Sequence, residues 1–514
     1  MVRMRPQPSV VQFTKLLSII VKMKQYRVAL NLIEEMRQSG APVNEYALTI
    51  AINCYCLLNR VDFGFAILGS FFKRGIRPNV TTFTTLIKGL FLNDKVIEAE
   101  KLFKKLLTLK LCEPNEVMIL TVINRLCKAG HTLTAYDLLG LFEKTSCKPD
   151  VYSYTTVIDS LCKDRMVDEA LQLLAKMINK GISPDIVTYN SMVQGLCNFG
   201  RWKDAKNLIT EMVDHKISPN VITFSILVDA FCKEGMVKEA EDMVEIMMQR
   251  NIAPDTVTCN ALIDGYCLVG QIDKARKLLD VMPGMGLKPS IISYNSLING
   301  YCKKGKVEEA WRLFLKVPGR GLEYTVVTYN TMLHGLFGAG RCADALKLFQ
   351  EMQAQQVIPD IATYNTLLNG LCMNKRIAEA ISFLHIMEQK GFKPDIITYS
   401  ILIHGLCNDG ELEIAGNLFD SLSSKGLQPD VQIYTTIISS LCREGLVEEA
   451  KSLLIEMDKS GCAPDSMTYY VIIKALLNRN ELSEAKTFLD EMCRRGLSLN
   501  STKEMNIDLG VVAR

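Results

Sequence analysis

Residues 361–395 read IATYNTLLNGLCMNKRIAEAISFLHIMEQKGFKPD, and this stretch decides the fold. Tyr364, Leu367, Leu368 and Leu371 fall at i, i+3, i+4 and i+7, the spacing of one apolar stripe on a short helix. After Asn374-Lys375-Arg376 the pattern returns in Ile377, Ala380, Ile381, Leu384 and Met387, which predicts a second helix. Lys390-Gly391 supplies a C-terminal stop, and Pro394-Asp395 leads into the next segment. Two helices of this length cannot bury both stripes alone, so the unit must stack on copies of itself.

The chain supplies the copies. Counting out from Asp395 gives unit ends at Asn44, Asn79, Asn115, Asp150, Asp185, Asn220, Asp255, Ser290, Thr325, Asp360, Asp430, Asp465 and Asn500. Every interval is 35 residues except Asn79 to Asn115, which is 36. The twentieth residue is alanine in every unit but one, where Gly64 replaces it; only a tight helix–helix contact asks for a small side chain each time. Glycines at the fifteenth position, such as Gly340 and Gly410, break the chain between the helices. Prolines one before the unit end, such as Pro184 and Pro394, stop the second helix.

The expected organisation is a leader of residues 1–9, fourteen repeats over 10–500 and a tail of 501–514. The leader carries Arg3 and Arg5 but is too short for an amphipathic transit peptide, so a missing or truncated presequence is expected. The expected fold class is all-α, a right-handed superhelical α-solenoid of about fourteen helix-turn-helix repeats. Its handedness, and a concave side lined by the first helices, are expected by analogy with other helical-hairpin arrays.

Composition excludes more than it names. A net charge of +3 is too near neutral to argue nucleic-acid binding from bulk charge. No apolar run reaches the roughly 18 residues of a membrane span, so no membrane partner is expected. Ten of the seventeen cysteines share the twelfth position of the unit, where Phe337 and Leu477 stand in other copies; they read as reduced packing residues. There is no Cys-x-x-Cys, no histidine cluster, no Gly-rich phosphate loop and no nucleophile–base pair. Neither a metal, a cofactor nor an enzymatic activity is expected.

The fifth residue of each unit sits on the first turn of its first helix. It reads Thr14, Thr49, Thr84, Leu120, Thr155, Asn190, Ser225, Asn260, Asn295, Asn330, Asn365, Ser400, Thr435 and Tyr470. Asn, Ser and Thr are mediocre helix formers. The unit-end residue is Asp, Asn, Ser or Thr throughout, the set that caps helix N-termini. Capping does not account for the fifth position, and the two sets together look like paired hydrogen-bonding groups facing a groove. An Asn offers a donor and an acceptor side by side, matching a pyrimidine edge, while a shorter hydroxyl leaves room for a purine. One polar pair per helical repeat is how repeat proteins read single-stranded RNA.

In period, register and polar pair the unit resembles the pentatricopeptide repeat of plant organelles, in its pure 35-residue class. Segments such as VTYNTMLHGLFGAGRCADALKLFQEM (327–352) and ITYSILIHGLCNDGELEIAGNLF (397–419) are similar to the restorer-of-fertility-like branch. The resemblance implies base selection by the fifth and last residues. Thr14/Asn44, Thr49/Asn79 and Thr84/Asn115 then imply A, Thr155/Asp185 and Ser225/Asp255 G, Asn190/Asn220 a pyrimidine, and Asn260/Ser290 C. Asn295/Thr325 implies a loose pyrimidine, Asn330/Asp360 and Asn365/Asp395 U, and Ser400/Asp430 and Thr435/Asp465 G. Leu120 and Tyr470 give no assignment. The implied target is 5′-AAA-N-G-Y-G-C-Y-UUGG-N-3′, a single-stranded RNA of about 14 nucleotides.

The family's geometry adds two positions. The second residue (Val11, Val187, Ile222, Val257, Ile292, Val327, Ile397) would wedge between bases, with ordinary inter-unit core as the competing reading. The thirteenth (Lys22, Lys128, Lys163, Lys233, Lys303, Arg443) would meet phosphate, with plain solvation as the alternative. The resemblance further implies a monomer that acts on mitochondrial, or less typically chloroplast, transcripts, with any cleavage left to a recruited nuclease. The rival is a peptide-binding scaffold of the tetratricopeptide kind, but those arrays use 34-residue units and do not require Asn, Ser or Thr at one fixed position.

Overall fold

The structure is a computed structural model describing residues 10–38, 43–109, 111–143 and 148–497; the expected leader and tail lie outside the described residues. Each repeat folds as its periodicity predicts. In the helix Ile361–Met373, Tyr364, Leu367, Leu368 and Leu371 are fully buried. In its partner Ile377–Gln389, the residues Ile377, Ala380, Leu384 and Met387 are buried. Repetition gives twenty-eight α-helices and no strand among the described residues. None of these helices is long and apolar enough to cross a membrane.

The turn between paired helices is set by one residue. At the fifteenth position the backbone is left-handed in every unit, at Gly340 (φ 73°) and its glycine counterparts but also at Lys24, Asn59, Asp94, Arg165, Lys375 (φ 58°) and Asn480. Glycine adopts this conformation freely, whereas other L-residues give up about 1 kcal/mol for it. The turn is held by returning N–H groups: Lys375 N–H donates to Cys372 O at 3.1 Å and Arg376 N–H to Leu371 O at 2.9 Å.

The chain divides into two compact units, Met1–Ala230 with Asp242–Ala253 and Phe231–Glu241 with Pro254–Arg514. Inside each, first helices pack on the first helices of neighbouring hairpins. In the first unit Val151–Lys163 lies against Ile186–Asn198; in the second Ile361–Met373 lies between Val326–Gly338 and Ile396–Asp409. The contact is close because the tenth residue is small where the preceding unit places its twelfth. A Cβ on Gly195 would come 2.5 Å from Cys162 Sγ, and one on Gly405 would come 2.6 Å from Cys372 Sγ. Polar groups lock the same seam: Asn374 Nδ2 donates to Phe337 O at 3.0 Å and to Gly370 O at 2.7 Å. Asn93 does the same for Cys56 O and Gly89 O.

Two second helices end early in a 3-10 turn, Ile272–Val281 at Met282–Met285 and Val307–Lys316 at Pro318–Arg320. In the later of these hairpins Tyr324 also stands where the preceding unit has Pro289. The Tyr324 ring stacks on Phe314 at 4.3 Å and its hydroxyl donates to Phe314 O at 3.0 Å, so ring packing closes the helix end.

The cysteines behave as the seam requires. No disulfide is formed among the described residues. Burial pushes the thiols of Cys162, Cys197, Cys267 and Cys372 up to about 12. Such thiols stay protonated at neutral pH and are neither metal ligands nor nucleophiles. Cys493 is the exposed exception.

Two outcomes follow from this packing. Gly405→Ala should lower the thermal midpoint of the chain, costing about 1–3 kcal/mol as an overpacked seam does. Gly416→Ala, where a Cβ meets nothing within 4 Å, should leave the midpoint unchanged or raise it by the equivalent of up to about 1 kcal/mol. Circular dichroism melts compare the two. In native protein at pH 8, iodoacetamide should label Cys493 well before Cys162 or Cys197, as peptide mass spectrometry would read.

Candidate nucleic-acid interface

The unit-end residue is first of all a cap. Asp395 Oδ1 accepts the Thr398 N–H at 2.8 Å, and the same bond recurs at Asn79, Asp185, Asp360 and Asp465 among others. A cap uses one terminal atom of the side chain. The second, an oxygen in Asp or an NH2 in Asn, takes no part in it. The capping and the paired-group readings therefore hold for the same residue.

The fifth residue meets this cap through a group that the sequence reading passed over, the third residue of the following unit. That residue is Thr or Ser in ten of the fourteen units. Thr398 Oγ1 lies 2.8 Å from both Asn365 Oδ1 and Asp395 Oδ1, so one hydroxyl joins the fifth and last residues of a unit. Thr188 links Thr155 to Asp185 in the same way, at 2.6 and 2.8 Å, and Thr468 links Thr435 to Asp465. Asn330 Nδ2 also approaches Asp360 Oδ1 directly, at 3.5 Å. The signal was present in the sequence, but a Thr two residues after a cap also reads as an ordinary first-turn residue.

The fifth side chains lie deeper than paired groups on an open wall. Thr155 and Asn190 are 8% exposed and Ser225 6%; the others are half-buried. They form a floor between neighbouring first helices. In Thr14, Thr49, Thr84, Thr155 and Ser225 the hydroxyl reaches back into its own helix, as Thr84 Oγ1 does to Val80 O at 2.7 Å and Ser225 Oγ to Val221 O at 2.8 Å. Such a hydroxyl has no proton left for a ligand.

At Asp395 burial alone would raise the carboxyl. The Thr398 N–H and hydroxyl and the Asn365 amide outweigh it and hold the group below its ordinary value. The carboxylate is thus ionised at neutral pH. What it adds to stability is present above the ordinary Asp value and fades as pH falls through the lowered one.

The second residues lie at the surface. Val11, Val187, Ile222, Val257, Ile292, Val327 and Ile397 are 55–61% exposed, so they are not inter-unit core. In the first unit a cleft of about 520 Å³ is lined by Thr14, Ser18, Lys22, Tyr46, Thr49 and Asn79, which brings second, fifth, thirteenth and last positions to one place. In the second, a cleft of about 440 Å³ joins Thr435, Gln432, Met467, Arg443 and Asp465 in the same arrangement.

The six thirteenth residues are not equivalent. All six are exposed, but they do not make the same contacts. Lys163 is paired with Asp159 at 2.6 Å. One Arg443 guanidinium nitrogen donates to Cys407 O and to Ser440 Oγ, the carbonyl capping that Asn374 performs elsewhere. No group of His, Cys, Asp or Glu among the described residues could hold a metal ion.

The geometry defines a helical-hairpin solenoid with a periodic polar floor and an apolar rim. The chain belongs to the PPR repeat family, matching it over residues 8–57, 114–163, 149–198, 184–233, 289–337, 324–373, 359–408 and 429–478. Among curated relatives it is 43% identical over 99 residues to a putative pentatricopeptide repeat-containing protein, mitochondrial, of Arabidopsis thaliana, a match covering 19% of this chain and 16% of that protein. It is 47% identical over 55 residues to another mitochondrial Arabidopsis thaliana pentatricopeptide repeat-containing protein, covering 11% and 9%. The matched stretches thus span less than a fifth of those relatives. Among solved structures, the maize pentatricopeptide repeat protein PPR10 aligns with 96% of this chain and 80% of its own, at 24% identity and a TM-score of 0.55. PPR10 in complex with an 18-nt psaJ RNA element aligns over the same shares at the same identity, with a TM-score of 0.58. At that identity the likeness is one of fold.

Proposed function

We propose that this chain is a non-catalytic, sequence-specific binder of single-stranded RNA that takes one base per repeat. The observation that carries the reading is the shared cleft, in which second residues flank a fifth residue and a cap with one atom to spare. The chemistry of that spare atom supports the assignments. The uncommitted oxygen of Asp395 accepts, so it suits the N3–H of U, or in a Thr unit such as Thr155/Asp185 the N1–H of G. The uncommitted NH2 of Asn79 donates, so it suits N1 of A. The exposed apolar second residues offer surface against which successive bases can stack. That a protein of like fold is solved with an RNA element supports the same reading.

In this reading the fourteen repeats over 10–500 bind about 14 nucleotides as a monomer, and cutting, if any, falls to a recruited nuclease. The unbroken run of repeats, all but one of 35 residues, supports the pure class and the restorer-of-fertility-like branch. The mitochondrial relatives support a mitochondrial target, with processing, stability or translation as the outcome.

A gel-shift series with the 14-mer and scrambled controls tests this reading. The 14-mer should bind with a clear preference, and Asn365→Thr should move the eleventh nucleotide from U towards G. An equal loss for every base there would mean that the pair is structural. Six phosphate contacts would give a slope of log K against log salt of about −4.

A further inference from the structure

Five units carry Asn at the fifth position, and all five are followed by a hydroxyl at the third position of the next unit: Thr223, Ser293, Thr328, Thr363 and Thr398. Three units are followed there by Ala47, Met118 and Ile433, and their fifth residues are Thr14, Thr84 and Ser400. An amide at the fifth position thus always comes with a hydroxyl beneath it. The contacts show what the hydroxyl does. Thr223 Oγ1 donates to Asn190 Oδ1 at 2.7 Å and Ser293 Oγ to Asn260 Oδ1 at 2.5 Å, while Thr398 Oγ1 shares its one proton between Asn365 Oδ1 and Asp395 Oδ1, each at 2.8 Å. In the remaining two, Asn295 and Asn330, the amide oxygen is buried without a hydrogen-bond partner, because Thr328 and Thr363 turn their hydroxyls to Thr325 Oγ1 and Asp360 Oδ1 instead.

An asparagine can present either its oxygen or its nitrogen, and the two faces differ only by a flip about the last bond. In Asn190, Asn260 and Asn365 the oxygen is held from below by a hydroxyl. In the Asp units the nitrogen lies towards the cap carboxylate, as Asn330 Nδ2 does at 3.5 Å from Asp360 Oδ1. A flip would set amide oxygen against carboxylate oxygen, two acceptors with no proton between them. We infer that Thr223, Ser293 and Thr398, the third-position hydroxyls of the following units, are specificity-determining positioning residues: each pins the amide oxygen of its fifth-position Asn (Asn190, Asn260, Asn365) inward, so that the groove is offered only an N–H donor. A pyrimidine, with a carbonyl oxygen beside its ring N3, accepts that donor; a groove-facing amide oxygen would repel it. The inference rests on the RNA reading and deepens it. It names a third residue in these repeats whose hydroxyl touches no base and yet decides what the base meets.

The test uses the full chain and the 14-mer, with each of the four bases placed in turn at the eleventh nucleotide (read by Asn365/Asp395) and, as a control, at the tenth (read by Asn330/Asp360). Thr398→Val removes the hydroxyl at nearly constant shape, and Thr398→Ser keeps it. In Thr398→Val the advantage of U at the eleventh nucleotide should shrink by about fivefold, the equivalent of one net intramolecular hydrogen bond. The tenth should keep its full preference, and Thr398→Ser should match the wild type at both. A Thr398→Val chain that retains the full U preference at the eleventh nucleotide overturns the inference. So does an equal loss at both nucleotides, since that is what general weakening of the array would produce. A wild-type chain indifferent to the base at both nucleotides overturns the RNA reading itself, and the two failures are thereby told apart.

Discussion

Everything in this array depends on the hydrogen bond that closes each first helix at its N-terminus. A short helix leaves its first N–H groups without partners, and here the last residue of the preceding unit answers them with one oxygen, as Asp395 does for Thr398. That bond fixes where the helix starts, and so fixes where its second and fifth residues stand. It also leaves the last residue with one terminal atom that the fold does not use. Structural need and reading capacity are satisfied by different atoms of one side chain.

The spacing of these caps is kept by packing. Alanine at the twentieth position lets paired helices approach, and a small tenth residue beneath a twelfth-position cysteine lets successive first helices approach. Asn374 and Asn93 tie the same seams through backbone carbonyls. These contacts are short, buried and repeated, so a hairpin cannot slide against its neighbour without losing several at once. A rigid period suits a ligand that is itself periodic.

Much of this was legible in the sequence, and for a definable reason. Apolar stripes, the alanine at the twentieth position and the Asn, Ser and Thr at the fifth each recur at a fixed interval, and recurrence separates signal from chance. What stayed hidden was direction. Nothing in the sequence says that Thr155 and Asn190 lie as a floor, since polarity alone does not report depth. The second residues are apolar and could equally have been core; only the structure places Val327 and Ile397 outside it. Arg443 shares the thirteenth position with exposed lysines, yet its longer, forked head reaches a carbonyl of the preceding unit. Lys375 looks like a solvated loop residue, but the turn forces it into the left-handed conformation that its neighbours reserve for glycine.

The most direct measurement of the central claim is Asp395→Asn. Both residues cap helices, so the exchange keeps the bond to Thr398 and changes the spare atom, from acceptor to donor. The account predicts a small fall in melting midpoint, from loss of the carboxylate charge, together with a move of the preferred eleventh nucleotide from U to C. A preference that stays with U, or a large fall in midpoint with equal loss for all four bases, would contradict it.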